Sequence, residues 1–124
     1  MRSFKHVTAQ GEITIIRLGD VPSSRKMPKG YSAMKPERGC YVIGHSESGH
    51  HHVLSRNDGV DIAVMDSPPQ KMRILRAILQ NPTSLDHLRD HDTHEPVMLE
   101  PGEYEFRIAR EYDPYAELAR QSAD

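Results

Sequence analysis

The chain has 124 residues, 36% of them apolar, with no Trp and two Phe. Sixteen basic residues against eighteen acidic ones give a formal net charge of -2 and a sequence pI of about 6.4, so no positive surplus exists for a phosphate backbone and nucleic-acid binding is not expected. The length suits a single domain over 1–124, and the lone cysteine, Cys40, excludes a disulfide scaffold within the chain.

Glu12 to Leu18 is rich in β-branched residues and stops at Gly19-Asp20, which predicts a strand. Residues 19–38 hold Gly, three Pro, Ser and five basic residues, and read as a long polar loop. Cys40 to Ile43 is a short apolar run, expected to be a buried strand that Gly44 ends. After a turn at Glu47-Ser48-Gly49, His50 to Leu54 is expected to be another strand. Asn57-Asp58-Gly59 between two apolar runs predicts a hairpin. Val60, Ile62 and Val64 alternate with Asp61 and Ala63, giving a half-buried strand over 60–66 that Pro68-Pro69 breaks. Residues 71–80 fit both helical and strand spacing, and their neighbours favour a strand. Asn81-Pro82 ends it.

Residues 83–96 are polar and contain His87, His91 and His94. Pro101-Gly102 makes a turn. Tyr104, Phe106 and Ile108 then alternate with polar residues in the clearest strand of the sequence. Asp113-Pro114 resembles a helix start, with Tyr115, Leu118 and Ala119 as one apolar stripe, so 113–124 is expected to form a short C-terminal helical tail. Six short strands separated by turns point to a mostly β, single-domain barrel or sandwich.

Six of the eight histidines fall in two groups, His45, His50, His51 and His52, then His91 and His94. Neutral imidazole is the commonest metal ligand. Residues i and i+2 of a strand share a face, so His50 and His52 are expected to project together. His45 sits across the turn, and the segment with His91 and His94 completes the shell. The expected metal site is therefore His45, His50, His52, His91 and His94. Nitrogen ligands of this kind suit a divalent transition metal, zinc first, with iron, manganese, nickel or copper as other choices. Glu47 and Glu95 are the nearest carboxylates and the candidate general bases. His6 and His87 read as surface residues, and Cys40 as a small buried hydrophobe. Arg110 and Glu111 read either as a surface ion pair or as contacts that orient a ligating histidine.

Two resemblances rest on these residues. Gly44, His50-x-His52 and the later Gly59 look like the first cupin motif, and Val97 to Tyr104 is similar to the turn-and-strand step that cupins repeat. Where cupins carry a metal-binding Glu after HxH, this chain has Ser55, Arg56 and Asn57, and Tyr104 stands where their second motif has His. The chain also resembles a group of small uncharacterised bacterial and phage proteins. That resemblance rests on Gly44-His45 through His52, His91-x-x-His94, Pro101-Gly102-x-Tyr104 and Arg110-Glu111-Tyr112, and it implies no known activity.

Three functions remain open from sequence. The first is a metal-binding β domain acting on an unknown small-molecule substrate, with the ion polarising an oxygen or activating water. The second is a non-catalytic structural or interaction module with a histidine-rich loop. The third is a metal-free histidine hydrolase, with Arg25, Lys26 and Lys29 supplying positive charge. The start of the chain lacks the apolar run of a signal peptide, and no stretch nears the roughly 18 apolar residues of a membrane span. A cytoplasmic protein with no membrane partner is expected. The lean apolar content makes a homo-oligomer the expected state.

Overall fold

The computed structural model describes residues 6–10, 13–45, 51–55, 58–88 and 93–109. Ten strands account for most of them: β1 (Val7–Gln10), β2 (Ile13–Gly19), β3 (Tyr31–Ala33), β4 (Cys40–His45), β5 (His51–Ser55), β6 (Val60–Met65), β7 (Met72–Leu79), β8 (Thr83–Leu88), β9 (Thr93–Leu99) and β10 (Gly102–Ala109). They form two antiparallel sheets. One has six strands in the order β1-β2-β10-β7-β6-β3, and the other has four in the order β4-β5-β8-β9. Both sheets are open, so of the two expected forms the sandwich is observed and the closed barrel is not. No helix occurs among the described residues, and so none there is long and apolar enough to cross a membrane. The expected tail helix at 113–124 lies outside them.

Period-2 burial explains why these segments are strands. Ile13 and Ile15 on β2, Val60 and Ile62 on β6, Leu75, Ala77 and Leu79 on β7, and Tyr104, Phe106 and Ile108 on β10 face one core. Tyr41 and Ile43, Leu54, Leu85, and Val97 and Leu99 meet them from the smaller sheet. Side chains alternate between faces of a pleated strand, so each strand commits every second residue to the core. Strand β7 buries Ile74 and Ile78 on its other face as well. That two-sided burial, in a strand paired on both edges, is why its sequence pattern matched helix and strand alike. The strand reading holds.

Several boundaries differ from the expectation. The polar segment 83–96 contains β8 and the start of β9, since Leu85 and Val97 reach the core while most residues between them are polar. The long loop over 19–38 contains β3, paired to β6 through Tyr31↔Met65 and Ala33↔Ala63. Strand β1 was not foreseen, because Val7, Thr8, Ala9 and Gln10 carry little apolar signal. Strand β4 runs through Gly44 to His45. The turn signal at Asn57-Asp58-Gly59 does not make a hairpin, because β5 and β6 belong to different sheets. The chain passes from one sheet to the other between β5 and β6.

A tight two-residue turn does occur just before β4. Glu37 and Cys40 exchange both backbone hydrogen bonds, at 2.7 and 2.9 Å. Arg38 and Gly39 between them have φ of 50° and 79°, the pair of positive values that a type I′ turn requires.

Hairpins alternate between the sheets: β4-β5 in the smaller, β6-β7 in the larger, β8-β9 in the smaller again. This alternation places two hairpins side by side. His51 stands opposite Leu88 across β5 and β8, so the end of β4, the start of β5, the end of β8 and the start of β9 all lie at one end of the four-stranded sheet.

Candidate metal centre

That sheet end collects the histidines. Registers across the four strands align Gly44, His52, His87 and His94 in one row: Gly44↔His52, His52↔His87 and His87↔His94. The next row holds His45, His51, Leu88 and Thr93. Directly opposed residues of an antiparallel pair share a face, and successive rows alternate between faces.

Two β-bulges flank the histidine row. On β4, Ile43 is an extra residue between the pairs Val42↔Val53 and Gly44↔His52. On β9, Glu95 and Pro96 together oppose Asp86 of β8. Proline has no N–H to give to the ladder, so a bulge is where a strand tolerates it. Bulges re-aim the residues beside them and are enriched next to functional sites.

His52 is the histidine of the row whose side chain is described. Its side chain has no solvent exposure. A β-carbon added at the neighbouring Gly44 would lie 3.3 Å from Cδ1 of Ile13 and 3.7 Å from Cδ2 of His52. The Gly44–His52 pair therefore faces the larger sheet, and glycine leaves room beside the imidazole. His52 Nδ1 lies 2.8 Å from Oε1 of Gln10, on β1 of that larger sheet. The Gln10 side chain, also buried, donates from Nε2 to the Leu85 carbonyl oxygen at 2.8 Å. A glutamine of one sheet thus ties together two adjacent strands of the other.

The expected ligands are distributed as follows. His52 is buried in β5, His94 lies in β9 opposite His87, and His45 ends β4 opposite His51, one row away from His52. Glu95 is in β9 at the bulge. His50, His91 and Glu47 lie outside the described residues, as do Arg110 and Glu111. Among the described residues no group of three His, Cys, Asp or Glu side chains is arranged to hold a metal ion. The side chains of His45, His51, His87, His94 and Glu95 are not among those described.

Sequence reading set aside His87 as a surface residue, yet the register puts it between His52 and His94. The spacing Leu85-x-His87 was the available signal, an i, i+2 strand step in a segment that otherwise reads as polar. Gln10 was also missed, and an isolated Gln offers no signal in one sequence. His6 is exposed, as expected, and Cys40 is half-buried. Of the loop cations, Arg25 is tied to Asp61 by an ion pair and donates to the Asp58 carbonyl at 2.9 Å, so it anchors the loop to β6. Lys26 and Lys29 are exposed.

On the larger sheet, Arg76 pairs with Glu103 at 3.0 Å and Glu105 at 3.7 Å and lies over the Tyr31 ring, while Arg107 meets Glu105 at 2.6 Å. These charges satisfy one another. At the start of β10, Tyr104 donates to the Glu100 carbonyl at 2.6 Å and Arg17 to the Pro101 carbonyl at 2.9 Å. Burial pushes the Tyr104 phenol above the ordinary tyrosine range, and the Arg17 guanidinium partly offsets it.

A family model matches residues 9–109, from β1 to the end of β10. The chain belongs to the DUF8820 family, a domain of unknown function. No curated protein and no solved structure matches it. The DUF8820 match includes Gln10, both bulges and the whole histidine row, so these features lie within the family domain itself.

Proposed function

We propose that this DUF8820 domain binds one divalent transition metal ion, zinc first, at the histidine-rich end of its four-stranded sheet. The observation that carries the reading is the row His52, His87 and His94, opposed across three adjacent strands between two bulges. Three histidines at aligned register positions are a donor set of the kind that suits zinc and, with a fourth position left open, a catalytic rather than a closed structural site. His45 stands in the adjacent row, and the ligand set we propose centres on His52 and His94 and gains His87. By sequence His50 and His91 belong to the segments that join the same strand ends, and we keep them, with His45, as further candidate ligands. The ion would polarise a substrate oxygen or lower the pKa of a bound water. Glu95 and Glu47 are the candidate bases. The cupin likeness agrees with a histidine metal site between two sheets. A cytoplasmic homo-oligomer is the setting we propose for it.

The test is elemental mass spectrometry on protein purified without a histidine tag, beside His52→Ala and His87→Ala. About one transition-metal ion per chain, lost in both variants, is expected. A protein that arrives empty and takes up no zinc, iron, manganese, nickel or copper on titration would overturn the reading. Retention by His87→Ala with loss by His52→Ala would move the site towards His50 and remove the row as its basis.

A further inference from the structure

The Leu85 carbonyl oxygen only accepts hydrogen bonds, so the Gln10 side-chain atom 2.8 Å from it is the amide nitrogen. Turning the amide over would set oxygen against oxygen. The other end of the same amide, Oε1, then faces His52 Nδ1 at 2.8 Å. A carbonyl oxygen cannot donate, so Nδ1 carries the proton. Neutral imidazole has one N–H, and the lone pair is therefore on Nε2.

We infer that Gln10 is a positioning residue that locks His52 in the Nδ1–H tautomer and presents Nε2 as its coordinating nitrogen. The inference deepens the proposed metal site and rests on that reading for its purpose, though not for the tautomer itself. Metal-bound histidines ordinarily give their second ring N–H to an acceptor that fixes ring orientation, and loss of that acceptor typically weakens metal affinity about 10- to 100-fold. Here the acceptor is an amide on the opposite sheet, held in turn by the backbone of β8. The ring is thereby clamped from two strands before any ion arrives. Gln10 also makes the packing of β1 on the smaller sheet a condition of a well-formed site.

The experiment uses the metal-free chain with ¹⁵N-labelled histidine. Long-range ¹H–¹⁵N correlation at about pH 8.5, where ordinary imidazole is neutral, reads each ring's tautomer. For His52, assigned by its loss in His52→Ala, the expected pattern is a protonated Nδ1 and an unprotonated Nε2. Gln10→Leu should lose that pattern and bind zinc about 10- to 100-fold more weakly. Backbone amide spectra of each variant establish that it is folded.

An Nε2–H ring in the unaltered protein would overturn the inference, as would a folded Gln10→Leu variant with the tautomer unchanged. Because the tautomer is read without metal, the two ideas fail separately. An Nδ1–H ring that Gln10→Leu abolishes, in a protein that takes up no zinc, supports the role of Gln10 and sinks the metal reading.

Discussion

Tyr104 shows how one side chain can serve both packing and a turn. Its ring is part of the core that joins the sheets, and its hydroxyl closes the Pro101-Gly102 turn by donating to Glu100. Tyr104→Phe should cost about 0.5–1.5 kcal/mol at neutral pH through loss of that bond, read as a lower urea midpoint. The pH dependence follows from the raised phenol pKa. The fold favours the neutral phenol, so this contribution is whole below the unfolded value near 10 and is lost as pH rises through the higher folded one. The gap between Tyr104→Phe and the unaltered protein should therefore narrow above about pH 10. A gap that widens there would contradict the burial argument. At the same scale, His52 was expected as a ligand from HxH spacing, whereas its partner Gln10, 42 positions away in sequence, could only be seen once the sheets were stacked.

At the scale of elements, close approaches between strands set which residues are tolerated. Gly102 opens β10 where that strand meets the end of β2, and a β-carbon there would lie 2.7 Å from the Gly19 carbonyl oxygen and 2.9 Å from Arg17 Nη2. The nearer atom is backbone and cannot swing aside. Gly102→Ala should destabilise by about 1–3 kcal/mol, and an unchanged thermal midpoint would show that β2 and β10 slide apart freely. The clear alternation of β10 and β6 was legible in the sequence because those strands have one core face each. Strands β8 and β9 were not, because their polar positions include histidines that sequence alone reads as loop. Asn57-Asp58-Gly59 shows the limit of turn chemistry. It predicted a hairpin, but which sheet receives the next strand depends on partners distant in the chain.

The whole molecule couples the sheets through a single shared core and through the Gln10 bridge. An ion that binds the folded chain and not the unfolded one stabilises it by about 2.7 kcal/mol at 100 times its dissociation constant. If the histidine row holds zinc, added zinc should raise the melting temperature, a chelator should reverse it, and Gln10→Leu should shrink the shift. A melting temperature indifferent to zinc and chelator would place the ion off the native fold.

The sequence by itself determined the strand character, the two histidine groups and the absence of a disulfide framework within the chain, because these depend on local alternation and composition. Only the tertiary structure decided that the histidines divide between two rows. It likewise brought His87 into line with His52 and His94 and set Gln10 against the imidazole. The physical reason is that a strand's period fixes which residues share a face, while register and sheet stacking, set by contacts between distant segments, fix which faces meet.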